Sequence, residues 1–297
     1  MKVQANGISI EVEDTGADGS QAGRPVVLLI MGLGMQLIAW PPEFVQALVD
    51  AGFRVVRFDN RDIGLSQHMD HLGVPNIVWE SMKHRMGLKV KAPYSLQEMA
   101  ADAIGVLDAL KIDKAHVVGV SMGGMIAQRV ALAAPQRVLS LTSIMSSSGA
   151  RFLPGPKAEV MRAMLGRPKG KTEEAIVDHY ITLFRAIGSP AFPLDEPALR
   201  ERVLRATRRS FHPAGTLRQM VAIAGDDKRA DELAKVQSRT LVVHGLADPL
   251  VPFACGQDTA RRIPGAKLHA VDGMGHDLPP GVVERLLAPL VPHLKAA

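Results

Sequence analysis

The most constraining feature of the chain is the six-residue sequence Gly-Val-Ser-Met-Gly-Gly at positions 119–124. An apolar run at 115–118 precedes it, and a helical pattern from about 122 to 134 follows it. G-x-S-x-G between a strand and a helix is typical of a nucleophile elbow, a tight turn that strains the serine backbone. Side chains beside that serine would collide with the strand and the helix, which accounts for the glycines. The pattern predicts Ser121 as a nucleophile at a helix N-terminus, where negative charge is favoured.

This motif also matches an ordinary helix that begins with a serine N-cap. A short motif of this kind has a real false-positive rate, so the assignment of Ser121 as a nucleophile depends on other residues of the chain. A serine hydroxyl is a weak nucleophile at neutral pH, and it needs a base within hydrogen-bond reach and a third group that orients the base.

Strand-like and helix-like segments alternate along most of the chain. Two short strands are predicted around the Asn6-Gly7 turn within residues 2–13. Further strands are predicted at 25–30, 53–58, 115–118, 138–144, 240–244 and 267–271. Helices are predicted at 41–51, 95–110, 122–134, 253–263 and 281–294. This alternation predicts an α/β fold with a mostly parallel eight-stranded sheet and helices on both of its faces.

The alternation stops between residues 146 and 232, where the sequence contains helical stretches and no convincing strand. We interpret 146–232 as a helical cap over the carboxyl ends of the strands, and 1–145 with 233–297 as the core. A smaller insertion is predicted at 67–93, with a short helix near 77–84. It follows a sheet strand directly, so it too should lie at the end of the sheet where open α/β folds bind ligands.

Asp248 is the candidate acid, because it follows the predicted strand 240–244 and stands among turn-forming residues. The structural alternative for Asp248 is an Asx-turn or a helix cap. Asp272 and Asp277 are competing acids, but both lie so close to His276 in the sequence that facing its ring would need a tight local turn.

The candidate base is His276, in a Gly-Met-Gly-His-Asp loop that follows the strand 267–271. It completes the chain order Ser, Asp, His that an elbow of this type requires. The alternative for His276 is an ordinary surface histidine. The other histidines near the C-terminus are weaker candidates for the base. His244 and His269 are predicted within strands, and His293 is predicted in the last helix.

Acyl transfer also needs donors for an oxyanion. The backbone N–H of Met122, the residue after the nucleophile, is one candidate. The other is the N–H of Leu33, between Gly32 and Gly34 in the loop after strand 25–30. The competing interpretation of this loop is a glycine turn that only redirects the chain.

Composition narrows the class of protein. The chain has 297 residues, 47% of them hydrophobic, which is ample for one large α/β domain or two ordinary ones. No apolar run reaches the roughly 18 residues of a membrane helix, and residues 1–7 lack a signal-peptide pattern. A single cysteine, Cys255, allows no internal disulfide and suits a reducing compartment. We therefore predict a cytoplasmic protein.

The net charge of +5 is concentrated in one segment. Residues 151–220 contain 13 basic and 7 acidic residues, a local excess of +6. The simpler interpretation is a solvated helical face, and the alternative is steering of anionic substrates. Nucleic-acid binding is not predicted, because no basic stripe alternates with aromatic residues.

Together, the elbow, Asp248 and the Gly-Met-Gly-His loop resemble the α/β-hydrolase fold family. Residues 59–66 (DNRDIGLS) resemble its D-x-R-G-x-G-x-S loop, with Asp62 where glycine is commoner. This stretch and residues 38–44 are similar to the branch that includes aclacinomycin methylesterase. The resemblance covers nearly the whole chain and implies that Asp59 and Arg61 brace the oxyanion loop. The sequence departs from the family at Met31, where histidine is usual, and in the longer stretch 67–93.

We expect a serine carboxylesterase with a small-molecule ester substrate, no cofactor and no metal. The same three residues would also serve C–C bond hydrolysis, acyl transfer or perhydrolysis, and a non-catalytic small-ligand receptor of this fold is a third possibility. The oligomeric state is open, with a homodimer as one option. Several methionines could line an adaptable acyl pocket, although we expect most of them in the core. They are Met82, Met86, Met122, Met125, Met161, Met164 and Met274.

Overall fold

The computed structural model describes residues 1–296, except for the side chain of Arg85. The strands are β1 (Lys2–Ala5), β2 (Ile8–Asp14), β3 (Val26–Ile30), β4 (Arg54–Phe58), β5 (Ala115–Val120), β6 (Val138–Ile144), β7 (Arg239–Gly245) and β8 (Lys267–Val271). The helices are α1 (Pro42–Asp50), α2 (Ile77–Arg85), α3 (Leu96–Ala109), α4 (Met122–Ala133), α5 (Ala158–Leu165), α6 (Glu173–Ile187), α7 (Glu196–Arg209), α8 (Pro213–Ala224), α9 (Arg229–Glu232), α10 (Phe253–Arg262) and α11 (Pro280–Lys295).

All eight strands form one sheet in the order β1-β2-β4-β3-β5-β6-β7-β8. The β1–β2 and β2–β4 pairs are antiparallel, and every later pair is parallel. The predicted α/β fold with a mostly parallel eight-stranded sheet is therefore confirmed. Because β3, β5, β6 and β7 run in the same direction, the loops after them meet at one edge of the sheet.

Local sequence accounts for the main elements. At the first hairpin, Asn6 and Gly7 both have positive φ, which suits the tight turn between β1 and β2. Helix α3 begins with a complete capping box, in which Ser95 and Glu98 satisfy each other's backbone amides. β3 and β5 are buried along their whole length, as expected for central strands covered by helices on both faces.

Two apolar clusters form the core, one on each face of the sheet. Helices α3 and α4 cover one face, and α1 and α11 cover the other. A third, smaller cluster joins α6 to α7 through Val177, Ile181, Leu199 and Val203. The helices α5 to α9 lie between β6 and β7 in the sequence, and the structure contains no strand in residues 146–232.

None of the helices among the described residues combines the length and the apolar character needed to cross a bilayer. Met82, Met86 and Met161 are exposed, so the expectation of a core position is wrong for these three methionines. Met122, Met125 and Met274 are buried.

Candidate active site

Ser121 lies at the turn between β5 and α4 with φ 56° and ψ −122°. This conformation is sparsely populated for a residue with a side chain and costs about 1–3 kcal/mol. The backbone around it holds it there, because the Ser121 amide donates to the Ile144 carbonyl at 2.9 Å. Its own carbonyl accepts from the Ser146 hydroxyl at 2.7 Å. The Ser121 side chain makes no capping hydrogen bond within the described part of the chain, so the N-cap interpretation does not hold.

The glycines of the motif are required by close backbone contacts. A Cβ at Gly119 would lie 2.0 Å from the Gly123 carbonyl oxygen, and one at Gly123 would lie 2.0 Å from the carbonyl oxygen of Ile30. Both distances are far below van der Waals contact, and both neighbours are backbone, which cannot move aside easily. The sharp turn that presents Ser121 therefore depends on glycine at both positions.

Ser121 and Asp248 both contact His276. The Nε2 atom of His276 lies 2.9 Å from Ser121 Oγ, and its Nδ1 atom lies 2.7 Å from Asp248 Oδ2. An ionised carboxylate can only accept, so the bond to Asp248 places a proton on Nδ1 and leaves Nε2 to accept from the serine hydroxyl. Residues 121, 248 and 276 thus meet through three loops that follow three different strands, in the geometry of a base oriented by an acid.

Asp248 makes two sets of interactions at once. Its Oδ1 atom accepts from the amides of Leu250 at 2.9 Å and Val251 at 2.8 Å, which is the predicted Asx-turn. Its Oδ2 atom is left for His276. The turn and the proposed catalytic contact are therefore compatible, since the turn fixes the direction in which the carboxylate faces.

His244 lies beside this acid but is engaged elsewhere. Its side chain is fully buried, and its Nε2 donates to the Val251 carbonyl at 2.7 Å. Burial lowers its pKa, although the nearby Asp248 carboxylate opposes that shift. A neutral imidazole at this position packs against the acid loop, as expected from its strand position, and does not contact Ser121 in place of His276.

The loop that carries His276 is attached to the last residue of α6 and to a residue just after that helix. The His276 amide donates to the Ile187 carbonyl at 2.7 Å. The Gly275 amide donates to the Ser189 hydroxyl at 2.8 Å, and that hydroxyl in turn donates to the Asp277 carboxylate. Burial raises the pKa of Asp277, while its contact with Ser189 opposes this shift. Asp277 therefore supports the loop through Ser189, while Asp248 contacts the imidazole.

The glycine loop after β3 lies against Ser121. A Cβ at Gly32 would be 3.1 Å from Ser121 Cβ and 3.6 Å from Ser121 Oγ, so a larger residue would crowd the serine hydroxyl. Among the described residues, neither the Leu33 amide nor the Met122 amide has a hydrogen-bond acceptor. Both amides therefore keep their donor capacity, as oxyanion donors must.

The glycine loop after β3 is held in place by residues of the segment after β4. Asn60 donates its side-chain amide to the Met31 carbonyl at 2.9 Å, and Asp59 accepts from the Leu37 amide at 2.7 Å. The Asp59 carboxylate also accepts from the Leu65 amide at 2.8 Å. The predicted bracing by Asp59 is present, and Asn60 holds the loop at the position where the usual histidine is replaced by methionine.

The expectation for Arg61 is wrong. Its guanidinium forms a bidentate pair with Asp102 on α3 at 2.6 and 2.7 Å and lies over the Tyr94 ring. The Arg61 side chain therefore joins this segment to α3. On the loop side, the Arg61 carbonyl oxygen accepts from Gln219 at 3.0 Å. Sequence similarity to the D-x-R motif does not show whether the Arg61 side chain points toward the glycine loop or toward α3.

Helix α8 supplies contacts that the sequence does not reveal. The Gln219 side chain accepts from the Gly34 amide at 2.9 Å. Arg218 is fully buried and forms a bidentate pair with Asp62 at 2.7 and 2.8 Å. Burial would raise the pKa of Asp62, but the hydrogen bonds from Arg218 and its charge outweigh burial and hold that pKa below its usual range. Asp62, at the position where the family commonly has glycine, thus binds α8 to the core.

Three groups with the character of metal ligands converge near this ion pair, namely His68, Asp70 and His212. The Arg218 guanidinium lies 3.0 Å from both His212 Nε2 and Asp70 Oδ1, which are the atoms that would face a cation. The positive charge at this position is therefore supplied by arginine. The rings of His68 and His212 stack at 3.9 Å, which makes the cluster part of the attachment of α8.

Comparison with known proteins places this geometry in context. A family model described as alpha/beta hydrolase fold matches residues 25–279. Rhodomycin D methylesterase DnrP from Streptomyces peucetius is 32% identical, over 94% of this chain and 93% of the relative. A 2-hydroxy-6-oxononadienedioate/2-hydroxy-6-oxononatrienedioate hydrolase from Cupriavidus pinatubonensis is 27% identical, over 90% of this chain and 84% of the relative. The crystal structure of an enol-lactonase from Burkholderia xenovorans superposes with a TM-score of 0.73 at 22% identity, covering 99% of this chain and 100% of that one.

Proposed function

Because the chain belongs to the alpha/beta hydrolase fold family, we propose that it is a serine hydrolase that cleaves carboxylic esters through an acyl-enzyme. The observation that carries this proposal is the pair of contacts made by His276, 2.9 Å to Ser121 Oγ and 2.7 Å to Asp248 Oδ2. Similarity to a methylesterase over almost the full length of the chain supports ester bonds as the target.

In the first half of the proposed reaction, Ser121 Oγ attacks the ester carbonyl while its proton moves to His276 Nε2. Asp248 accepts from Nδ1–H throughout, which stabilises the imidazolium that forms. The negative charge that develops on the carbonyl oxygen would be bound by the amides of Leu33 and Met122. Loss of one such donor typically costs about 2.7–4 kcal/mol of transition-state stabilisation.

In the second half, His276 returns its proton to the leaving alcohol as the tetrahedral intermediate collapses to the acyl-enzyme. A water molecule then takes the place of the alcohol, and His276 accepts one of its protons as it attacks the acyl carbonyl. The serine oxygen leaves with the proton from His276, which releases the carboxylic acid. The residues of this chain supply every proton transfer, so the proposed reaction needs no metal or cofactor.

We assign residues 146–232 as a cap and residues 1–145 with 233–297 as the catalytic core. The contacts of Ile187 and Ser189 with the His276 loop, and of Gln219 with the glycine loop, support this division of roles. These contacts connect the inserted helices to two of the loops that form the site. The cap would therefore position the site as well as cover it.

C–C bond hydrolysis is the second candidate, because the relative named 2-hydroxy-6-oxononadienedioate/2-hydroxy-6-oxononatrienedioate hydrolase is 27% identical over 90% of this chain. The same serine, histidine and aspartate would serve it. The discriminating experiment compares a panel of p-nitrophenyl esters of increasing acyl length with a 2-hydroxy-6-oxo-dienoate substrate. Ester turnover that is abolished in Ser121→Ala supports the esterase. Rapid C–C bond cleavage of the dienoate with negligible ester turnover supports C–C bond hydrolysis. Ester turnover that survives in Ser121→Ala would contradict both proposed reactions.

A further inference from the structure

Helix α2 buries the Glu80 carboxylate against the protein and exposes large apolar side chains to solvent. Glu80 is only 8% exposed, and its carboxylate pairs with Lys83 at 2.7 Å and accepts from the Lys91 amide at 2.9 Å. On the other side of the helix, Val78 is 80% exposed and Met82 is 44% exposed. A surface helix of a globular protein normally has the reverse arrangement. The outer side of α2 therefore lacks the partner that its composition requires.

The apolar surface extends beyond the helix itself. Large exposed hydrophobic residues precede it, cover it and follow it, and these are Val74, Val78, Trp79, Met82, Met86 and Leu88. We call these six residues the α2 face. Contiguous exposed apolar surface of this kind marks a site of interaction.

Basic residues border the α2 face. Residues 74–91 contain four basic residues and one acidic residue, a local charge of +3 in a chain whose net charge is +5. Lys89 and Lys91 are exposed and follow α2 directly, so their charges are available at the edge of the apolar surface. The one acidic residue, Glu80, is buried and already paired with Lys83.

We propose that the α2 face docks on the surface of an anionic lipid bilayer. Exposed apolar side chains can insert at the level of the headgroups, and lysines at their border are attracted to anionic lipids. A second copy of the chain fits the face less well. A two-fold contact would bring this surface against itself and oppose two patches of like charge. The proposal concerns where the protein binds and does not depend on the reaction that Ser121 performs.

The chain contains its own reporter for a test. It has two tryptophans, of which Trp40 is 1% exposed in the core and Trp79 is 52% exposed on the α2 face. Vesicles of phosphatidylglycerol and phosphatidylcholine in about equal amounts would be added to the full-length protein, with phosphatidylcholine vesicles for comparison. The Ser121→Ala variant is included so that lipid hydrolysis cannot be mistaken for binding. We expect Trp79 emission to shift to shorter wavelength with the anionic vesicles and to be quenched by brominated acyl chains. Added salt should weaken the binding.

The variant that tests the surface is Val78→Glu with Met82→Glu, which places two acids in the middle of the α2 face. Its partitioning to anionic vesicles should fall at least about tenfold. Leu268→Glu, at an exposed apolar position on the edge strand β8, is the matched control and should bind like the wild type. Unchanged Trp40 emission and circular dichroism would establish that each variant is folded.

Three results would overturn the proposal. The first is the absence of any Trp79 shift or quenching with anionic vesicles. The second is undiminished binding by the protein that carries Val78→Glu and Met82→Glu. The third is self-association of the lipid-free protein that Val78→Glu with Met82→Glu abolishes, without measurable vesicle binding, because this result would assign the α2 face to a second copy of the chain.

Discussion

The Ser189 hydroxyl accepts a hydrogen bond from the Gly275 amide at 2.8 Å, one residue before His276. The bond joins residues 86 positions apart in the sequence and connects the end of α6 to the loop after β8. A second bond, from the His276 amide to the Ile187 carbonyl, reinforces it at 2.7 Å. The position of the imidazole therefore depends on the inserted helices as well as on the sheet.

Replacing Ser189 with alanine should lower kcat about tenfold and leave KM nearly unchanged, since small misplacements of a catalytic group are costly. The change also leaves the buried Gly275 amide without its acceptor, which costs about 1–3 kcal/mol of stability. Steady-state kinetics on a p-nitrophenyl ester and urea unfolding measure the two effects. Ser20→Ala, in an exposed loop, is the control. A loss of stability with full kcat would show that Ser189 does not position His276.

Gln219 should matter for the oxyanion loop, because its side chain bonds to the Gly34 amide and to the Arg61 carbonyl. Methionine has a similar shape and neither hydrogen bond, so Gln219→Met should reduce kcat/KM by roughly tenfold. Gln97→Met, on the exposed side of α3, serves as the matched control. If Gln219→Met hydrolyses short and long esters at the wild-type rate, the loop is held adequately by Asn60 and Asp59 alone.

The contribution of the Asp62–Arg218 pair to stability can be tested with Asp62→Gly, since glycine is the commoner residue at this position in the family. Asp62 has φ 75°, so glycine relieves its backbone strain while it removes the carboxylate. The free energy of unfolding should nevertheless fall by about 3 kcal/mol, because the buried Arg218 loses its bidentate partner. Adding Arg218→Met to Asp62→Gly should recover part of that loss. Urea unfolding of the four proteins, including Arg218→Met alone, gives the coupling energy. Stability of Asp62→Gly at or above the wild-type value would contradict this account.

Two buried histidines predict how stability depends on pH. Burial lowers the pKa of His116 to about 4, with a contribution from the neighbouring His293, whose pKa burial also lowers to about 4. In the unfolded chain both would titrate near 6.5. The unfolded state therefore binds more protons between those values, and the free energy of unfolding falls as the pH drops from about 6.5 to about 4.

The expected loss is on the order of 2–3 kcal/mol per histidine. Urea unfolding at several pH values between 7 and 4 measures it. His116→Gln keeps a polar side chain opposite Ser140 and removes one histidine titration, so its loss of stability on acidification should be smaller than that of the wild type by the contribution of His116. If the free energy of unfolding falls equally with pH in both proteins, His116 does not contribute to the pH dependence and the prediction is contradicted.

Much of the fold could be predicted because its elements carry local signals. The capping box at Ser95, the glycines of the elbow and the apolar runs of β3 and β5 each specify their own structure. The chain order of Ser121, Asp248 and His276, together with their places in loops after predicted strands, predicts three residues that the structure brings into contact. Their catalytic role remains the proposal that the experiments address.

The contacts made by the inserted helices could not be predicted in the same way. The bond between Gln219 and Gly34 spans 185 residues, and neither residue has a local pattern that names its partner. The direction of the Arg61 side chain and the outward orientation of α2 likewise follow from tertiary packing. Helix α2 has no clear apolar stripe, so its sequence alone does not indicate which side faces the solvent.

The most direct measurement is covalent labelling with a fluorophosphonate followed by peptide mass spectrometry. A single adduct should form on Ser121, and esterase activity should disappear at the same rate. Labelling should slow at least about a hundredfold in His276→Ala, because the base that activates the hydroxyl is gone. An adduct on another residue, or no adduct on Ser121 in a protein that still hydrolyses esters, would contradict the central claim that this serine is the nucleophile.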